Sequence, residues 1–196
     1  MRIKDKIIQL FEESPGIHSL KDLTKVGAYR NLVRNLVHEN VLEEVTHGFY
    51  KLAGYEPEMR FDYVEIAAII PKGIFCLTSS LSFHNLGTQM PDQYHIAIPS
   101  NTAATTRKEY PIKSYFYSDA AYKTGIEEYG PIKVYSIAKT VADCFKFRNK
   151  IGLDVALEAL KCSIKEKRAT IPKILEMAEV CRVKKIIMPY LEAYTS

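Results

Sequence analysis

The chain has 196 residues, 47% of them hydrophobic and 26% charged, which places it among ordinary globular proteins with length for one large or two small domains. No window offers about 18 uninterrupted apolar residues, so no membrane span is expected. The net charge of +4 is modest, but it is unevenly spread: eight basic against seven acidic side chains over residues 1–54, seven against nine over 55–135, and twelve against seven over 136–196.

The charged start, Met1 to Lys6, leads into an amphipathic helix and does not read as a secretory signal. The four cysteines, Cys76, Cys144, Cys162 and Cys181, are far apart and form no CxxC pair, which argues against zinc. Each has apolar neighbours on a predicted helix. Buried free thiols in a reducing cytoplasm are therefore expected.

The first helix is predicted from Ile3 to Glu13, with Ile3, Ile7, Leu10 and Phe11 as its apolar stripe and Ser14-Pro15-Gly16 as its stop. Ser19 with Asp22 makes a capping box for a short helix carrying Leu20, Leu23 and Val26. Gly27 allows a tight turn. A longer helix follows over about 28–40, with Leu32, Val33, Leu36 and Val37 inward. Its other face carries Arg30, Asn31, Arg34, Asn35 and His38, with no acid before Glu39. Arg30/Arg34 and Asn31/Asn35 are i,i+4 pairs and share one exposed stripe. Arginine and asparagine are the side chains best suited to bidentate bonds with guanine and adenine in the major groove. Residues 45–52 then read as a hairpin centred on His47-Gly48, with His47 and Lys51 touching the phosphate backbone or the minor groove. Helix, short capped helix, glycine turn, basic helix and hairpin, in that order, predict a winged helix-turn-helix over residues 1–54 that binds double-stranded DNA.

Residues 53–60, with Gly54 and Pro57, read as a linker. A second domain is expected over 60–196. Helices are predicted over 62–70 and 74–85, then strands over 94–98, 112–117 and 132–135, with a polar, Thr-rich mobile loop at 101–108. A helix from Ser136 to Phe147 follows. After Gly152 comes a helix with Leu153, Leu157, Leu160 and Ile164 on one face, then helices over 171–181 and 183–194, the last kinked or split by Pro189. The fold class expected is α+β: a winged helix-turn-helix, then a mixed α/β domain with a helical tail.

No phosphate loop, dinucleotide fingerprint or nucleotidyltransferase signature is present, and no metal or cofactor is expected. Ser80 and His84 are i,i+4, but no orienting carboxylate or GxSxG elbow accompanies them, so a packing serine and a carbonyl-bound histidine are expected. Thr140 and Asp143, beside Lys139 and Lys146, read as a structural polar cluster. The basic excess falls on Lys146, Arg148, Lys150, Lys161, Lys165, Lys167, Arg168, Arg182, Lys184 and Lys185, either a solvated surface or a face for phosphate or an acidic partner.

Residues 76–86, Cys-Leu-Thr-Ser-Ser-Leu-Ser-Phe-His-Asn-Leu, resemble the LxSALxxHxL stretch of the AbiEi antitoxin family. Residues 134–145, Val-Tyr-Ser-Ile-Ala-Lys-Thr-Val-Ala-Asp-Cys-Phe, are similar to that family's v-y-s-x-x-K-T-x-x-D block, and residues 152–160 also fit. Ser82 and Asn85 depart from it, standing where small residues or glycine are common. The resemblance spans nearly the whole chain. It implies a non-enzymatic antitoxin of a type IV system, a regulator of a viral-defence locus. Such a protein represses its own promoter at inverted repeats and opposes a nucleotidyltransferase toxin encoded beside it, through the C-terminal domain and without need of a stable complex. The basic residues of 146–185 would then serve toxin antagonism, DNA contact or both. A winged-helix regulator whose second domain senses a small molecule is the alternative, and an enzyme built on 60–196 a third.

Overall fold

The computed structural model describes residues 2–14, 16–55, 61–103 and 110–195. Pro15, residues 56–60 of the predicted linker and residues 104–108 of the predicted loop lie outside them. The fold is mixed α and β with two separate sheets. Packing divides the chain into two compact units, residues 1–71 with 128–132, and residues 72–127 with 133–196.

In the first unit, α1 (Ile3–Glu13) turns Ile7 and Phe11 inward. A two-residue strand, β1 (His18–Ser19), runs directly into α2 (Leu20–Lys25), and α3 (Arg30–His38) follows. β2 (Leu42–Thr46) and β3 (Phe49–Leu52) form an antiparallel hairpin with a bulge between Glu44 and Thr46. β1 adds to the other edge of β3, giving the order β1-β3-β2. A strand at 18–19 was not expected, since two residues carry no readable period. Ile7, Phe11, Leu23, Val33, Leu36, Leu42 and Tyr50 form the core, so all three helices and the hairpin share one apolar centre. α4 (Phe61–Ile69) packs on β2 in the same unit.

The second unit is built on a five-stranded sheet, apart from residues 128–132 between and within its last two strands, which belong to the first unit. Its strands are β4 (Ile74–Phe75), β5 (Tyr94–Pro99), β6 (Ile112–Tyr117), β7 (Ile126–Tyr129) and β8 (Ile132–Tyr135), in the order β6-β5-β4-β8-β7. Residues 74–85, expected as one helix, divide into β4 and α5 (Leu77–Phe83). Ile74 and Phe75 are taken by the sheet because they sit between two partners: Ile74 opposite Ala97 and Phe75 beside Val134. Leu77, with φ of 48°, turns the corner from strand to helix. Between β6 and β7 lies the short α6 (Asp119–Lys123), also not foreseen.

After the sheet come α7 (Ile137–Lys146), α8 (Arg148–Ile151), α9 (Leu153–Lys165), α10 (Ile171–Val180) and α11 (Lys184–Thr195). α11 continues through Pro189 without splitting. The buried face of α9 is Val155, Ala156, Ala159, Leu160 and Ser163, rotated from the expected leucine face, and Leu153 is exposed. α7 is central: α5, α8, α9, α10 and α11 all pack against it, and every residue from Ile137 to Phe145 is buried.

The buried stretch of α7 carries three polar side chains, Lys139, Thr140 and Asp143, and each has a partner. Lys139 Nζ lies 2.5 Å from Asp143 Oδ2, both side chains being fully buried. The ammonium also sits 4.0 Å from the Tyr135 ring centroid and 4.8 Å from that of Tyr117. Cys181 Sγ donates to Asp143 Oδ1 at 3.1 Å. Burial pushes the Asp143 carboxyl upward, and Lys139 opposes that shift. Gly125, with φ of 75°, is required beside this lysine, because a Cβ there would stand 2.8 Å from Lys139 Cβ. Thr140 joins a second cluster on the Tyr135 carbonyl. His84 Nε2 lies 2.8 Å from that oxygen, Ser80 Oγ donates to it at 3.0 Å, and Ser80 Oγ is 2.7 Å from Thr140 Oγ1. Ser80 and His84 thus meet at a carbonyl and not at each other.

Removing one member of a buried ion pair leaves the other charged and unsolvated, at a cost of about 3–5 kcal/mol. Lys139→Met is expected to lower unfolding stability by that amount in urea titrations. The double change Lys139→Met with Asp143→Leu is expected to recover most of it. A loss under about 1 kcal/mol in the single variant would show that the pair does not hold the helix in place.

Candidate nucleic-acid interface

The geometry of α3 depends on the segment before it. Ser19 Oγ accepts the Asp22 backbone N–H at 3.2 Å, while Asp22 Oδ2 accepts from the Ser19 N–H at 3.2 Å and its hydroxyl at 2.6 Å. This is a closed capping box, and Lys25 adds an ion pair to Asp22 at 2.7 Å. Lys25 first, then Ser19, holds the Asp22 carboxyl down at about 2. Gly27, with φ of 99°, makes the turn, and Tyr29 begins α3 with its ring exposed. Val33 and Leu36 face the core. The helix is therefore fixed in rotation, and the opposite face is forced outward.

That face carries Arg30, Asn31, Arg34, Asn35 and His38, all exposed. None of the five makes a side-chain hydrogen bond or ion pair among the described residues. Arg30 and Arg34 also line a concave patch of about 350 Å³ with Leu20, Glu44, His47 and Tyr50, where α3 faces the hairpin. Glu44 is the acid of that patch. It accepts the Gly48 N–H at 3.0 Å and stands 3.9 Å from His47 Nδ1, so it closes the turn from inside. Burial and then Glu44 raise the Tyr50 hydroxyl, while Arg30 and Arg34 pull it down.

The structure divides the expected hairpin contacts. His47 stands fully in solvent at the tip. Lys51 is 3% exposed, with Nζ 2.9 Å from the Tyr55 carbonyl and 3.2 Å from Glu43. Its ammonium belongs to the unit's own structure. Its place beside the glycine-containing hairpin tip suggests a contact in the sequence, whereas Lys51 pairs across the hairpin with Glu43 and is buried. Tyr50 and Glu44, which the sequence did not single out, join the patch from neighbouring strands.

The basic residues of the second unit fall at three corners. Lys146, Arg148 and Lys150 lie at the α7–α8 junction, where Arg148 donates to the Phe145 carbonyl at 2.9 Å and Lys146 stands 5.1 Å from the Tyr117 ring centroid. Lys161, Lys165, Lys167 and Arg168 lie at the end of α9, and Arg168 donates to the His84 carbonyl at 3.1 Å. Arg182, Lys184 and Lys185 lie at the α10–α11 turn, with Lys184 bound to Glu179. Lys161, Lys165, Lys167, Arg182 and Lys185 are exposed and have no carboxylate partner among the described residues. All three thiols outside α9 are buried, while Cys162 is half-buried. No helix among the described residues is long and apolar enough to cross a membrane.

No family model matches this sequence, and no curated protein does. Among solved structures it is similar to the crystal structure of the RV2827C protein from Mycobacterium tuberculosis, with a TM-score of 0.45 and 9% identity over 90% of this chain and 71% of that one. So loose a likeness carries no inference about the site.

The capping box supplies a pH signature. The Asp22 carboxyl lies below its ordinary value of 3.8, so its contribution is present above that pH and is lost as pH falls toward about 2. Ser19→Ala is expected to cost about 0.5–2 kcal/mol at pH 7 in thermal or urea unfolding. The cost should shrink as the pH is lowered through 4 to 3, and a pH-independent difference would remove Asp22 from the box.

Proposed function

We propose that residues 1–54 form a winged helix-turn-helix in which α3 enters the major groove of double-stranded DNA. One observation carries this reading: Arg30, Asn31, Arg34 and Asn35 stand in a row on an exposed helix face with every polar group uncommitted. A solvated helix face usually carries acids among its bases, and here the first acid is Glu39, at the helix end. The core fixes the rotation of α3, so the row is presented without reorganisation on binding. The hairpin is the wing, and His47 at its tip is its phosphate contact. Lys51, being internal, leaves the set proposed to touch DNA.

The resemblance to AbiEi antitoxins supplies the rest of the proposal: a repressor of its own promoter, acting at inverted repeats, that counteracts a nucleotidyltransferase toxin. Two of the three resembling segments fall on α5 and α7, and their Ser80, His84, Thr140 and Lys139 make the buried clusters around Tyr135. Those residues support the resemblance as a folding signature and are not the antagonism surface. That role falls to the exposed, unpaired bases Lys161, Lys165, Lys167, Arg182 and Lys185. A regulator whose second unit takes a small ligand is a second reading, favoured by a polar cavity in that unit.

Losing one bidentate base contact costs about 1–3 kcal/mol. Arg34→Ala is therefore expected to weaken binding to the chain's own promoter DNA roughly tenfold or more at fixed salt, with unfolding stability unchanged. Unaltered affinity in a gel-shift titration would reject α3 as the reading helix. Replacing Lys161, Lys165 and Lys167 together by glutamate should abolish protection from the toxin in a growth assay while sparing the Arg168–His84 contact. Full protection would leave these lysines as solvated surface.

A further inference from the structure

A cavity of about 280 Å³ lies within the second unit, where the start of β5 meets the 89–93 segment and the α8–α9 corner. Its polar lining includes Thr78, Asp92, Gln93, His95, Lys113 and Lys150. We propose that this cavity binds a small phosphomonoester, its terminal phosphoryl group held by His95, Lys113 and Lys150.

His95 is the fixed element. Its residue is 7% exposed, its backbone N–H donates to Ser79 Oγ at 2.8 Å, and its Nδ1 lies 2.9 Å from Thr78 Oγ1. These bonds set the ring's position and leave Nε2 as its remaining polar atom. Nε2 has no protein partner among the described residues, yet it is not one of the sealed, unsatisfied atoms of the interior, so it faces the cavity its ring lines. In the tautomer in which the Thr78 hydroxyl donates to Nδ1, Nε2 carries the proton and presents a donor to the cavity.

The two lysines come from different elements to the same place. Lys113 is the register partner of His95 across the parallel β5–β6 ladder, so both side chains stand on one face of the sheet. Lys150 comes from α8. Each ammonium lies 5.8 Å from the Tyr115 ring centroid, which brings both charges over one ring. Neither has a carboxylate within ion-pair distance among the described residues. Burial, then Lys113, lowers the His95 imidazole to about 4 against the opposing pull of Asp92, so the ring is neutral at pH 7. Two unpaired ammonium groups and a neutral N–H converge on a half-enclosed space. The carboxylate of the lining, Asp92, is within ion-pair distance of neither lysine, so the two ammonium groups lack a counter-charge, which an anion in the cavity would supply.

A terminal phosphoryl group offers three oxygens to three donors. A phosphodiester within duplex DNA offers two, at a convex edge that does not reach a ring so deeply placed. Asp92 and Gln93 at the rim are acceptors for hydroxyl groups on the body of the ligand. The volume suits a molecule the size of a triose or pentose phosphate and is small for a dinucleotide. The inference stands or falls independently of DNA binding by the first unit.

The test follows the histidine side-chain nitrogens of the full chain by NMR during titration with glycerol 3-phosphate, inorganic phosphate and, at matched ionic strength, chloride. The expected result is a saturable shift of His95 with both phosphates, tighter with the ester, and no shift of His84, whose Nε2 is occupied by the Tyr135 carbonyl. Bound phosphate should also raise the His95 pKa by about one unit, since the anion favours the charged ring. Replacing Lys113 and Lys150 by glutamine, both exposed positions, should weaken the response at least tenfold with the His84 signal unchanged. An equal response to chloride, or an undiminished response in the double variant, would overturn the proposal. So would a His95 shift caused by duplex DNA and not by the ester, which would assign the cavity to a nucleic-acid backbone.

Discussion

The buried pair of Lys139 and Asp143 is the constraint on which the second unit is organised. A lysine and an aspartate with no exposed surface are tolerable only if each has the other and little else is left unsatisfied. That demand fixes the rotation of α7, brings the Tyr135 and Tyr117 rings over the ammonium, and draws Cys181 from the end of α10 onto the carboxylate. It also reaches back to Gly125, which must lack a side chain for the lysine stem to pass. The helices around α7 are held by apolar contact, which is not directional. Lys139 and Asp143 lie one turn apart on α7, so the pair itself is local, and its links to other elements are the Tyr135 and Tyr117 rings over the ammonium and the Cys181 thiol on the carboxylate.

The first unit solves a different problem. It is small, with a core of about eight side chains, and its helices are short. The capping box adds to what the burial of these side chains supplies. The box of Ser19 and Asp22 starts α2, glycine at position 27 turns the chain, and Val33 and Leu36 fix α3 against the hairpin. The result is a helix whose polar face is rigid and unpartnered. Its polar groups have no partner among the described residues, which is the observation from which DNA recognition is proposed.

Much of this was legible in the sequence, for identifiable reasons. The capping box, the glycine turn and the spacing of Leu32, Val33 and Leu36 are local signals, and the structure has the helices where they indicate. The strands at 94–99, 112–117 and 132–135 alternate or run apolar long enough to read. What escaped was short or non-local. β1 and β4 have two residues each, and they are strands only because partners from elsewhere pair with them. Lys51 reads as a surface base until Glu43 and the Tyr55 carbonyl are seen to enclose its ammonium. The cavity at His95 draws on four separate segments, and no spacing along the chain could announce it.

The central claim is that the α3 row meets DNA, and backbone NMR of the chain with a duplex from its own promoter tests it most directly. The account predicts that shift changes concentrate on residues 30, 31, 34, 35 and 38 and on the His47–Gly48 turn, with the core of both units unmoved. Changes confined to the basic corners of the second unit, or absent at physiological salt, would contradict it.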